Sequence, residues 1–171
     1  MNPYHAGNHE LQDRFGTRET ADRLAAKLMR GRFSDEDKAF IESAGFFFLA
    51  TADHAGRPDC SFKGGGPGSV RIIAPDLLVF PDYNGNGMYK SLGNIRCNPN
   101  VGLLFILMDT RRRRLRVNGR ATIHFDDPLT AQFEGAQLIV RISPEYIFPN
   151  CPRYIPDLKT GNPPLTVWSP A

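Results

Sequence analysis

Phe46-Phe47-Phe48-Leu49-Ala50-Thr51 is a continuous apolar and aromatic run, too short for a core helix and bounded on both sides by turn residues. Such a run reads as a buried β-strand. Gly45 precedes it, and Ala52 to Arg57 follows with Asp53 and Gly56 as turn residues, so a hairpin is expected with a partner strand from Asp59 to Lys63. Upstream the period is helical. Thr17 is placed to cap a helix over Arg18 to Met29 that Gly31 ends. Ser34 and Asp37 form an acidic variant of the capping box, ahead of Phe40, Ile41 and Ala44 on one helical face.

Downstream, strands are expected over Leu77 to Phe80, Val101 to Met108, Leu115 to Phe125 and Ile139 to Ile147, with Gly- and Pro-rich turns between most of them. A short helix over Met88 to Asn98 opens after Asn84-Gly85-Asn86-Gly87 and closes at Asn98-Pro99. The stretch from Pro149 to Ala171 carries six prolines and reads as an irregular tail lying on the rest. Many short strands with a few helices define a mainly β, α+β fold: a six-stranded antiparallel barrel with short flanking helices, since closure removes exposed edges. One domain is expected over 1–171, with a helical extension at 1–45, the barrel at 46–148 and the tail at 149–171.

Composition narrows the function classes. The net charge of +3 is too small to mark a nucleic-acid binder, and no segment approaches the roughly 20 apolar residues of a membrane span. Arg111 to Arg114 lies between two apolar strands and reads as a solvated turn. Cys60, Cys97 and Cys151 are odd in number and form no CxxC pair. With no signal-like start, they point to a cytoplasmic protein in a reducing compartment. His5, His9, His54 and His124 are too dispersed to announce a metal site.

Asn84 to Ser91 has the makings of an anion site: flexible glycines, backbone N–H groups at a helix start, the Lys90 ammonium and the Ser91 hydroxyl. The alternative is a plain loop with Lys90 in solvent. Ser61 and Lys63 alternate along one strand and can meet the same ligand, while Gly64-Gly65-Gly66 permits close backbone approach or a wide turn. Arg71, at the end of that loop, is a further candidate.

Five blocks, taken in order, resemble the flavin-binding split barrels of the pyridoxamine 5′-phosphate oxidase-like family. They are Phe47 to Asp53, Gly56 to Gly66, Phe80-Pro81-Asp82, Asn94 to Leu104 and Leu115 to Ala121. The resemblance implies a homodimer with FMN at its interface, the phosphate near Asn84, Asn86, Gly87, Lys90 and Ser91, and Ser61, Lys63 and Gly64 against the flavin. It also implies that Arg116 faces the flavin of the other subunit and that Arg153 and Tyr154, in Asn150-Cys151-Pro152-Arg153-Tyr154, line the substrate side. Met88 stands where many similar sequences have an arginine, and Lys90 is the residue that can replace its charge. Trp168 is expected to pack on the barrel.

The expected activity is that of an FMN-dependent oxidoreductase passing a hydride through flavin N5 to or from a small molecule. The arginine-rich C-terminal substrate signature of true pyridoxamine phosphate oxidases is not evident. A 5-deazaflavin-dependent reductase and a non-catalytic flavin-binding or sensing protein are the alternatives.

Overall fold

A computed structural model describes residues 3–107 and 113–149. Three helices lead into the sheet: α1 (Ala6–Arg14), α2 (Arg18–Leu28) and α3 (Asp35–Glu42). The strands are β1 (Phe46–Ala52), β2 (Pro58–Gly64), β3 (Arg71–Ala74), β4 (Leu77–Tyr83), β5 (Asn100–Leu107), β6 (Arg113–His124) and β7 (Ala136–Pro149). Helix α4 (Lys90–Cys97) joins β4 to β5, and a 3-10 turn at Pro128–Gln132 precedes β7.

All seven strands form one antiparallel sheet in the order β2-β1-β5-β6-β7-β4-β3, one strand more than expected. The additional strand, β3, has only four residues directly after a glycine-rich loop, too short a run to declare itself by period. It is held from outside the sheet as well, because the Ile72 N–H donates to Glu42 Oε1 of α3 at 3.0 Å.

The sheet rolls until its two ends approach without hydrogen-bonding to each other. Phe47 of β1 meets Phe80 of β4 edge-on at 5.1 Å and stacks on Phe105 of β5 at 5.3 Å, although β1 and β4 are not neighbours in the sheet. One hydrophobic cluster fills the roll, including Leu49, Leu78, Leu103, Val117, Val140 and Ile142. Phe40, Ile41 and Ala44 of the α3 region plug one side of it. The α3 part of the helical N-terminal segment thus belongs to the core.

The Ser34–Asp37 capping box forms: Asp37 N–H donates to Ser34 Oγ at 3.2 Å, and Ser34 N–H donates to Asp37 Oδ2 at 2.9 Å. The hairpin turn forms too, with Asp53 Oδ1 accepting from the Ala55 and Arg57 N–H groups at 2.9 and 3.0 Å. Thr17 sits at the N-cap of α2, but its side chain makes no capping bond. Helix α1 was not expected, because its cap is a histidine. His5 Nδ1 accepts from Gly7 N–H at 3.2 Å, and the helix buries no residue that would give it an apolar period.

Arg113 and Arg114 belong to β6 and not to a turn. Arg113 donates to Glu36 Oε1 at 2.8 Å and lies 5.0 Å over the Phe40 ring, so an apolar surface and an acidic partner extend the strand into the basic run. Arg111, Arg112, Cys151, Arg153, Tyr154, Trp168 and the rest of the proline-rich tail beyond Pro149 lie outside the described residues.

Candidate functional site

Residues directly opposite each other across an antiparallel pair share a face of the sheet. In the β1–β2 hairpin, Phe47 pairs with Lys63, Leu49 with Ser61 and Thr51 with Asp59. Phe47, Leu49 and Thr51 are buried, so Lys63, Ser61 and Asp59 also face inward. On β4, Phe80 and Asp82 are two residues apart and share the inner face. The two walls, β2 and β4, are not paired, and the Phe47–Phe80 contact closes the floor between them.

The result is a cleft of about 560 Å³, within the roughly 300–1,000 Å³ of small-ligand sites. Ser61, Lys63 and Gly64 line one side, Phe80 to Tyr83 the other, and Gly85 to Leu92 one end. Pro81 is tolerated because β3 pairs only with Leu77 to Val79, leaving the rest of β4 free on that side.

The end formed by α4 gathers groups that can receive an anion. Tyr89, the N-cap, makes no side-chain cap and adopts a left-handed backbone (φ 47°), turning the chain sharply from the glycine loop into the helix. The first internal bond there is Gly93 N–H to Tyr89 O at 2.7 Å, which leaves the preceding N–H groups of the first turn open. Ser91 is 4% exposed, lines the cleft, and its hydroxyl makes no hydrogen bond with a described residue. Lys90 beside it is exposed and also lines the cleft. Asn94, one turn further, anchors the helix by donating to Thr51 Oγ1 of β1 at 2.9 Å.

The cleft therefore gathers Ser61, Lys63, Gly64, Asn86, Gly87, Lys90 and Ser91 of the expected site residues. Asn84 lies in the same loop but is not part of the lining. Arg71 is elsewhere: Nη1 donates to Gln132 Oε1 at 3.0 Å, Nε donates to Gly68 O at 3.2 Å, and the guanidinium lies 4.1 Å over the Phe133 ring. These partners hold it on the far side of β3, away from the cleft. Arg116 is on the outer face of the sheet, paired with Leu104 and 5.8 Å from the Phe148 ring. Arg153 lies outside the described residues.

Asp82 was missed as a site residue, although it stands in the Phe80-Pro81-Asp82 block. The usable signal was its two-residue spacing from Phe80, but that needs the knowledge that Phe80 faces the cleft. Burial pushes the Asp82 carboxyl above the ordinary carboxylate range, and the Lys63 charge opposes that rise. Among the described residues no cluster of His, Cys, Asp and Glu is arranged to hold a metal, and no helix is long and apolar enough to cross a membrane.

An incompletely closed antiparallel barrel with a mixed apolar and polar cleft at its split defines the class: a split β-barrel of the pyridoxamine 5′-phosphate oxidase type. Residues 33–168 match the pyridoxamine 5′-phosphate oxidase family, and the chain belongs to it. Solved structures share the fold. HupZ of Group A Streptococcus is 21% identical with a TM-score of 0.53, over 68% of this chain and 93% of its own. An FMN-binding protein of Syntrophomonas wolfei is 14% identical with a TM-score of 0.51, over 84% of this chain and 97% of its own. General Stress Protein 26 of Bacillus anthracis is 19% identical with a TM-score of 0.50, over 65% and 88%. At these identities the likeness is one of fold. No curated protein matches the chain.

Proposed function

We infer that the protein binds FMN in this cleft and serves as an FMN-dependent oxidoreductase. The observation that carries the reading is Ser91, a buried residue whose hydroxyl makes no hydrogen bond with a described residue, set beside Lys90 at an uncapped helix start. Together they offer a hydroxyl, a cation and open N–H groups to one phosphate, and the apolar floor of Phe47 and Phe80 suits a flat aromatic ring. A solved protein of the same fold described as FMN-binding supports this choice of ligand.

FMN, when bound, supplies hydride transfer through its N5 atom. This chain's residues bind and orient: Lys90, Ser91 and the α4 N–H groups hold the phosphate, and Gly87, with its positive φ of 74°, shapes the loop that carries them. Ser61 and Lys63 present polar groups from β2, and Phe47, Phe80 and Leu92 exclude water from the floor. The small substrate enters over the rim formed by Tyr83, Met88 and Tyr89, all exposed.

The functional unit in this reading is a homodimer. Across the outer face of the sheet one register row runs Phe62, Phe48, Leu104, Arg116, Phe148 from β2 to β7. Phe46 stacks on Phe62 at 5.3 Å beside it, and Phe62 is 61% exposed. An apolar face of this kind on a single chain favours burial against a second copy. It also explains Arg116, which can reach a cleft only if that cleft belongs to a partner.

Purification in FMN, followed by the absorbance spectrum and chromophore release, tests the reading. A yellow protein that releases FMN is expected, with Lys90→Ala and Ser91→Ala each weakening FMN at least about tenfold, the scale of one charge-assisted hydrogen bond. A protein that stays colourless and does not quench FMN fluorescence overturns it.

A further inference from the structure

Phosphate contacts leave open what reads the other end of a ligand, and here the two cleft walls supply a charged pair. Lys63 comes from β2 and Asp82 from β4. Each stands beside one ring of the floor: Lys63 is the cross-strand partner of Phe47, Asp82 shares a face with Phe80, and the two rings touch at 5.1 Å. Both side chains are partly buried and line the cleft. The Asp82 carboxyl accepts no hydrogen bond from a described residue. Burial raises the proton affinity of that carboxylate while the Lys63 charge lowers it, and the two walls offer one strong acceptor and one strong donor to the same cleft.

We propose that Asp82 and Lys63 together read the imide edge of the ring system, Asp82 accepting from a ring N–H and Lys63 donating to the adjacent carbonyl oxygen. The complementary ligand chemistry is a cyclic imide, C=O next to N–H, fused to an aromatic system that rests on Phe47 and Phe80. The pyrimidine ring of an isoalloxazine has that edge, with its N–H at N3, and a 5-deazaisoalloxazine has the same one. The inference rests on the FMN reading and adds to it the residue that selects the ring. A carboxylate facing a ligand that also carries a phosphate is otherwise a liability, since like charges repel. A donor at N3 turns it into a contact that rejects anionic ligands lacking that group.

The test is a fluorescence or absorbance titration of the intact protein with FMN and with N3-methyl FMN, which keeps the phosphate and the ring but has no N3 donor. Asp82→Ala and Asp82→Asn are titrated with both ligands, after circular dichroism establishes that they fold. The wild type is expected to prefer FMN over N3-methyl FMN by about tenfold to a hundredfold, the worth of a hydrogen bond to a charged group. Asp82→Ala is expected to lose most of that preference by weakening FMN alone, and Asp82→Asn, which keeps a neutral acceptor, to lie between. If Asp82→Ala does not fold, the wild-type preference and Asp82→Asn decide. Equal affinity of the wild type for the two ligands, or losses in the variants that are the same for both, overturns the role of Asp82 while leaving FMN binding intact. Failure of the wild type to bind either ligand overturns the FMN reading and this inference with it.

Discussion

Asn94 on α4 donates through Nδ2 to Thr51 Oγ1 on β1 at 2.9 Å, and both side chains are buried, at 7% and 4% exposure. This contact ties the helix whose start lines the cleft to the strand whose aromatic run forms its floor. Asn94→Ala leaves the Thr51 hydroxyl buried without its donor and is expected to cost about 1–3 kcal/mol in urea unfolding. Asn94→Ala combined with Thr51→Val removes both partners and is expected to recover part of that loss, because no unsatisfied group is then left behind. A double variant as destabilised as the sum of the singles would mean that the pair does not act as a unit.

Asp127 and Arg141 couple the turn before β7 to the strand itself. Arg141 Nε donates to Asp127 Oδ2 at 2.6 Å, and Asp127 Oδ1 also accepts from Leu129 N–H at 3.0 Å. The Arg141 hydrogen bond is the main cause holding the Asp127 carboxyl below the ordinary carboxylate range. The folded state therefore binds this proton more weakly than the unfolded chain. The stabilisation is complete above the unfolded value of about 3.9 and is lost as pH falls through the lower folded value. Asp127→Asn should flatten this part of the acid limb when unfolding is followed from pH 6 down to pH 2, at a cost of about 3 kcal/mol at pH 6.

Gly119 lies at the bulge where the β6–β7 register shifts. A Cβ there would run into the Ser143 carbonyl oxygen and come within 2.9 Å of Pro144 Cα, both backbone atoms that cannot rotate away. Gly119→Ala is expected to destabilise the protein by about 3 kcal/mol in thermal or urea unfolding. Gly93, with open space around its Cβ position, should accept alanine without loss and provides the control in a helix.

The proposed dimer face gives a further expectation. Phe62→Glu places a charge in the row Phe62, Phe48, Leu104, where a single chain loses exposed ring contacts with Phe46 and Phe48, each worth about 1 kcal/mol. Sedimentation should find a dimer for the wild type and a folded monomer for the variant, with FMN weakened in step. Unchanged sedimentation would place the interface elsewhere.

The barrel strands were legible in the chain because their signal is local. Phe46 to Thr51 carries its own apolar period, Asp53 and Gly56 their own turn chemistry, and Ser34 with Asp37 their own cap. The helix start after Asn84 to Gly87 was legible for the same reason, since the glycine-rich turn and the helix that follows it are contiguous. β3 and α1 were not, since four residues in one case and an unburied helix with a histidine cap in the other give no period to read.

Membership in the family, expected from five ordered blocks, is met by the match over 33–168. What only the folded molecule decided is which distant residues share a wall. Arg71 and Lys63 looked alike on either side of a glycine loop, yet Gln132 and Phe133, some sixty residues on, draw Arg71 off the cleft. Asp82 entered the site because rolling the sheet sets β4 across from β2, a juxtaposition of strands that share no hydrogen bond. Sequence determines period, caps and turns through interactions a few residues long. The curl of the sheet is settled by packing Phe47 on Phe80 and Phe105, and it is the curl that makes the cleft.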